Sequence, residues 1–240
     1  MVSVTGDKDG LTFFAGFDGS TDTLKRFTRD TLTGTYKLTH TEATLNFSPS
    51  VCGMVVIGDY LYVAQDAGAT VTVYRYLKTD LSGKTAMTGI TIGATGAFIN
   101  MFTDGTFIYL QENATTTFHK LSISGTIFTD TGTVTVAGTG QGQYYTYMFD
   151  GSNQYVINDT SANLNVYKFT ARDGTTISSE TNVYNSLALS PNSFGAGGNH
   201  YIVGMINIDT TRAYIVYHVR TYTESTAIYT GLYMIPITKP

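Results

Sequence analysis

The residues of this chain best suited to chemistry recur as pairs, an acid or amide followed eight or nine positions later by a base. The pairs are Asp18 with Arg26, Asp66 with Arg75, Glu112 (beside Asn113) with Lys120, Asp159 (beside Asn158) with Lys168, and Asp209 with His218. Two kinds of chemistry suit such a set. Carboxylates and amides in loops that share one face, next to Tyr rings, can hydrogen-bond sugar hydroxyls. On that reading Asp18, Asp66, Glu112, Asn113, Asn158, Asp159 and Asp209 are the candidate ligand-binding residues. The other reading is structural. Each acid or amide bonds its own loop backbone, and each base pairs with an acid of its own or the adjacent repeat, at ~0–1 kcal/mol per exposed pair.

The elements that must position these pairs form a fivefold repeat. An aromatic followed by a small or aliphatic residue recurs at Phe14-Ala15, Tyr62-Val63, Tyr109-Leu110, Tyr155-Val156 and Tyr201-Ile202, at spacings of 48, 47, 46 and 46. Each anchor follows a two-residue turn signal: Asp9-Gly10, Gly58-Asp59, Asp104-Gly105, Asp150-Gly151 or Gly197-Gly198. After the anchor strand come the acid-bearing loop and then a strand with interleaved apolar and basic residues (LKRF, VYRY, FHKL, VYKF, VYHV). A second Gly or Asp turn leads to a Thr-rich strand, and a further apolar stretch precedes the next unit: VCGMVVI, AFINMF, QYYTYMF and the weaker NSFGAGG. No window carries a helical apolar period, while β-branched and aromatic residues are abundant.

The unit predicts a four-stranded antiparallel sheet of about 47 residues. Five of them predict an all-β, five-bladed β-propeller in one domain, with blades at about 1–50, 51–96, 97–142, 143–191 and 192–240. An open β-solenoid or two stacked sandwiches built from the same hairpins is the alternative. Met1 to Thr5 is short for an inner strand, so the C-terminal YMIPI, from Tyr233 to Ile237, is expected to complete the first blade and close the ring. In repeat number and length the chain resembles the tachylectin-like five-bladed lectins. The resemblance implies a small propeller able to bind glycans. It carries over no binding residue, because the repeat motifs of those lectins contain Trp and this chain has none.

Composition narrows the partners. Only 13% of residues are charged, against a usual value of about 25%, and the net charge is −4 with bases scattered once per repeat. Phosphate backbones need a concentrated basic surface, so nucleic acid is excluded as a partner. No run approaches a membrane span, and MVSVTGDKDG lacks the apolar core of an export signal. Cys52 is the single cysteine and reads as a buried small hydrophobe in VCGMVV.

Propeller-fold glycosidases carry carboxylates on their innermost strands, yet VCGMVVI, AFINMF and QYYTYMF contain no Asp or Glu, which argues against a hydrolase. Asp59, Asp104 and Asp150 are read as turn residues. Asp18 to Asp22 begins like a calcium loop, but Thr23 replaces the required Gly and Arg29 the final Glu. His40, His119, His200 and His218 show no metal-ligand spacing, and GTGQG at Gly138 to Gly142 precedes a strand rather than a helix. The sequons at Asn46, Asn113 and Asn158 occur at the frequency expected by chance, and Tyr144, Tyr145 and Tyr147 suit packing between blades. These readings predict no enzyme, no metal and no cofactor. The expected protein is a structural or recognition module of an extracellular particle, a bacteriophage virion or tail component. The alternative is a soluble lectin with repeated shallow sites. Its partners would be other particle proteins, cell-surface glycans or further copies of itself, and its location the virion or the extracellular space.

Overall fold

The computed structural model describes residues 3–17, 22–45, 53–66, 70–93, 100–111, 117–136, 145–160, 163–172, 176–185, 200–223 and 226–239. Every regular element among them is a β-strand, as the period-two patterning predicts. The first sheet is a meander of β1 (Ser3–Gly6), β2 (Thr12–Phe17), β3 (Asp22–Arg29) and β4 (Tyr36–Leu45). The second contains β5 (Met54–Ile57), β6 (Tyr60–Asp66) and β7 (Thr70–Leu77), with two short pieces, β8 (Thr85–Ala86) and β9 (Ile92–Gly93), in place of a continuous fourth strand. Two further meanders follow: β10 (Met101–Thr103), β11 (Ile108–Gln111), β12 (Thr117–Ser124) and β13 (Ile127–Val136), then β14 (Tyr145–Phe149), β15 (Gln154–Thr160), β16 (Asn163–Arg172) and β17 (Thr176–Asn185). Their outer strands join by a short parallel pairing of Thr135 with Thr176 and Val136 with Ile177. The last sheet is β18 (His200–Asn207), β19 (Arg212–Thr223) and β20 (Thr226–Thr238).

The second strand of each of the first three meanders is buried on both faces, which explains why it reads as a nearly continuous apolar run. Leu61, Tyr62, Val63 and Ala64 of β6 are all buried. Leu61 and Val63 belong to a core with Phe14, Leu24 and Tyr76 on the side of the first sheet. Tyr62 and Ala64 belong to another with Ile108, Leu110, Leu121 and Phe128 on the side of the third. Alternation along one strand therefore feeds two different cores. A third core joins Val4, Phe13 and Ala15 of the first sheet to Ile206 and Val216 of the last. The Phe13 ring stacks on Phe27 at 4.5 Å and meets Tyr36 edge-on at 4.9 Å.

The first strands pack side by side: β1 on β5, β5 on β10, β10 on β14, β14 on β18, and β18 back on β1. The architecture is propeller-like, with sheets facing one another around the first strands. Two glycines make the β1–β18 seam possible. A Cβ on Gly204 would lie 2.5 Å from the Val4 carbonyl oxygen, and Gly10, at φ +69°, is pressed against the carbonyls of Asn207 and Ile208.

Three expectations are corrected by this architecture. YMIPI does not complete the first sheet: β20 pairs with β19 along its whole length, and β1, short as it is, already pairs with β2 from Ser3–Gly16 to Gly6–Phe13. The fourth strand of the second sheet is broken. The last repeat is also out of register, because Tyr201-Ile202 lies on β18, a first strand, rather than on a second strand. The residue matching Tyr155 is Tyr214 on β19, a spacing of 59. Apolar alternation looks the same on a first and a second strand, so the even spacing concealed the shift. NSFGAGG, proposed as the first strand of that repeat, lies outside the described residues, as do Asn46, Cys52, GTGQG and Tyr144.

Candidate functional site

The first strands enclose a cavity of about 140 Å³ whose wall is apolar, with Val55, Phe102, Met148 and Met205, and whose rim is polar, with Thr5, Asp7, Lys8, Lys78 and Thr103. The rim belongs to the ends of the sheets where first strands turn into second strands. At this end an Asp directly follows the first strand in three sheets: Asp7 after β1, Asp104 after β10 and Asp150 after β14. Such an Asp is favoured because its carboxylate accepts the backbone N–H groups of its own turn. Asp104 Oδ1 accepts from Thr106 and Phe107, and Asp150 Oδ1 from Ser152 and Asn153, at 2.8–2.9 Å. The second oxygen accepts the hydroxyl of the anchor tyrosine, Tyr109 for Asp104 and Tyr155 for Asp150.

Asp7 is held differently. Its Oδ1 accepts from the Lys8 N–H at 2.8 Å, and its Oδ2 accepts from Lys78 Nζ at 2.7 Å. Lys78 directly follows β7, and its N–H donates to the Asp59 carbonyl, which directs the side chain across to the first sheet. The pair lines the cavity, with the Lys78 side chain 27% exposed and the Asp7 side chain 9% exposed. Lys8 also lines the cavity, with its side-chain stem near Gly151 of the fourth sheet.

A second, sealed network adjoins the first. Lys239 directly follows β20, and its Nζ donates to Asp150 Oδ2 at 2.9 Å and Asn207 Oδ1 at 2.8 Å. The Asn207 amide in turn donates to the Lys8 carbonyl, which ties the last sheet to the first. Burial pushes the Asp150 carboxyl up, but the Asn153 N–H and the Lys239 ammonium outweigh it and hold the group below the ordinary carboxylate range. Burial and then the Asp150 charge push the Tyr155 phenol well above its ordinary range, so it remains a donor.

The sequence-predicted site residues do not assemble. Asp18, Glu112 and Asn113 lie outside the described residues. Asp66 ends β6 opposite Val71, while Asn158 and Asp159 lie on β15 opposite Asn165 and Leu164, near the turn from second to third strand. Asp209 is at the other end of its sheet, in the turn between β18 and β19. There its Oδ1 accepts from Thr211 and Arg212, and its Oδ2 accepts from Arg212 Nε at 2.8 Å. It matches Asp104 and Asp150 rather than Asp66. The repeated bases are opposite the anchor aromatics: Arg26 with Phe14, Arg75 with Tyr62, Lys120 with Tyr109, and Lys168 with Tyr155.

The contacts of Arg26, Arg75 and Lys120 are not the acid pairings expected. Arg26 donates to Thr39 Oγ1. Arg75 donates to the Gly125 carbonyl of the next sheet at 2.6 Å and covers the Tyr60 ring, and Lys120 covers Phe107. Among the described residues no group of three or more His, Cys, Asp or Glu side chains could hold a metal ion. Asp7 and Lys78 escaped the sequence reading because they are 71 positions apart and neither belongs to the repeated pair.

No protein-family model matches the chain, and no curated protein does. Solved structures align with it at low identity. A protein of unknown function from Desulfotomaculum acetoxidans aligns with 96% of this chain and 69% of its own, at 12% identity and a TM-score of 0.49. A candidate 6-phosphogluconolactonase from Bacteroides uniformis aligns with 96% of this chain and 71% of its own, at 17% identity and 0.45. The periplasmic gluconolactonase of Pseudomonas aeruginosa aligns with 100% and 88%, at 14% identity and 0.44. The tachylectin resemblance is not found among these neighbours. The expectations of a non-catalytic virion or tail module, of a lectin, and of a virion or extracellular location are corrected: enzyme names, one of them periplasmic, stand where particle proteins were expected. At such identities and TM-scores the likeness assigns no activity to this chain.

Proposed function

We propose that the protein is a five-bladed propeller, with blades near the boundaries read from the repeat, and that the polar rim of its central cavity is a hydrolytic site for a small cyclic ester. The ring of first-strand contacts, closing from β18 onto β1, supports the five blades. The observation that carries the hydrolytic reading is the Asp7 carboxylate, held at 2.7 Å by Lys78 on the rim of a cavity that Lys8 also lines. Asp7 takes a proton from a water molecule as its oxygen bonds to the ester carbonyl carbon. The Lys78 and Lys8 ammonium groups stabilise the resulting oxyanion. Collapse of that intermediate breaks the ring C–O bond, and the departing oxygen takes the proton back from Asp7. The apolar wall formed by Phe102 and Met148 accepts the carbon face of the substrate.

The test is hydrolysis of δ-gluconolactone by the purified protein, measured above the spontaneous rate, with Asp7→Asn as the comparison. The reading requires a saturable rate that falls by roughly 10²–10⁴-fold in the variant, the usual contribution of a positioned general base. A rate equal to the spontaneous one, or one unchanged by Asp7→Asn, would overturn it.

A further inference from the structure

The outer edges of the sheets are finished in different ways. β13 and β17 cover each other by their parallel pairing, the chain after β8 crosses to the neighbouring sheet, where Thr88 bridges Ile127, and β20 carries Pro236, which has no N–H to offer a further strand. β4 has none of these devices. Over its ten residues it pairs only with β3 among the described residues, which leaves its other edge open. Exposed apolar side chains gather on the same sheet. Of the four large hydrophobic residues exposed among those described, Leu38 lies on β4, Leu32 in the turn before it, and Leu11 beside the end of β3, where its carbonyl accepts the Arg29 N–H. An open strand edge with an apolar margin is a template for another strand.

We propose that β4 pairs antiparallel with β4 of a second copy of this chain, about a two-fold axis between Thr39 and His40. In that register the charges of the strand are complementary to themselves, since Lys37 of each copy stands opposite Glu42 of the other. Regular alternation would put Lys37 and Glu42 on opposite faces of the sheet. The register shift against β3 supplies the extra residue that puts them on one face, with Lys37 opposite Thr28, His40 opposite Arg26 and Glu42 opposite Leu24. Lysine on an edge strand ordinarily repels a second strand. Here the Lys37 side chain is 69% exposed and a glutamate meets it across the axis. Leu38, 52% exposed and opposite Phe27 on the other face, is covered by Thr41 of the second copy. The pairing uses up the edge of both strands, so the assembly closes at two chains. It is independent of the hydrolytic reading, because β4 is the outermost strand of its sheet and the cavity lies among first strands.

The test is sedimentation velocity of the full chain over a range of concentrations, on the wild type, Lys37→Glu, Glu42→Lys and the double variant, with circular dichroism to check folding. The proposal expects an equilibrium between monomer and dimer in the wild type. Each single reversal sets like charges opposite each other twice and should raise the dissociation constant by roughly 10–100-fold, while the double variant should return to within about threefold of the wild type. Leu38→Asp leaves the charged pair in place, should weaken the dimer by at least about tenfold, and serves if a charge reversal does not fold. A wild type that stays monomeric at every concentration, growth beyond a dimer, a dimer indifferent to these folded variants, or a double variant as weak as the single ones would each overturn it.

Discussion

Lys78 and Lys239 occupy the same place in two sheets, yet their surroundings make them different residues. Each directly follows a third strand, each donates its N–H to the turn between first and second strands of its own sheet, and each sends its ammonium to an Asp directly after the first strand of the preceding sheet. Lys239 is sealed, at 1% side-chain exposure against 8% for Asp150, and Asn207 takes a further hydrogen bond. Lys78 is 27% exposed and faces the cavity with Asp7. A buried pair contributes little over an apolar substitute, but leaving one partner alone is costly. A pair open to a cavity costs less to break and can meet a ligand. One geometry therefore serves as a clasp between the last two sheets and as chemistry at the rim.

Replacing each lysine by methionine separates the two roles. Lys78→Met is expected to lower lactone turnover by about 10²–10³-fold, the usual cost of one oxyanion donor, with a stability cost below that of Lys239→Met because the stranded Asp7 carboxylate still faces the cavity. Steady-state kinetics beside chemical denaturation measures both, and a stability loss with unchanged kcat would erase the distinction between the pairs. Lys239→Met should do the reverse. It strands the Asp150 charge and is expected to cost about 3 kcal/mol, read as a fall in Tm of roughly 6–12 °C, with kcat kept in the folded fraction.

The seam beside the clasp offers a smaller perturbation. Gly204→Ala pushes a methyl against the Val4 carbonyl and is expected to cost about 1–3 kcal/mol by denaturation, with no effect on the rim chemistry.

Acid sharpens the comparison further. The folded Asp150 carboxyl lies below its unfolded value, so its contribution to stability is complete above the unfolded pKa of about 4 and disappears as pH falls through the folded value. Denaturation series below about pH 4 should therefore show a loss of stability in the wild type that is reduced in Lys239→Met, where the pair is already broken. Equal acid dependence in both proteins would contradict the assignment. The smallest effect belongs to Arg75→Met. This half-buried base at a repeated position gives up one bond to the Gly125 carbonyl and its cover over Tyr60, for less than about 1 kcal/mol.

Much of the fold was legible in residue order. The YLYVAQ strand, the Asp-Gly turns at Asp104 and Asp150, and the pairing of Tyr62 with Arg75 or Tyr109 with Lys120 all follow from local alternation and turn chemistry. The last repeat misled because Tyr201 kept the spacing while occupying a first strand, and an apolar strand carries no mark of its rank in a sheet. The candidate site was not legible. The recurrent loop acids drew attention because they repeat, whereas Asp7 and Lys78 form one pair across two sheets and resemble ordinary turn residues in the sequence.

Alternating apolar residues and turn signals by themselves determined the strands, their antiparallel order within each meander and the absence of helix among the described residues, because those interactions join residues close along the chain. Only the tertiary structure decided which aspartate meets which lysine. That choice depends on sheets facing one another across 71 residues in one pair and 89 in the other, on the seam that Gly10 and Gly204 allow, and on the degree to which each pair is closed to water.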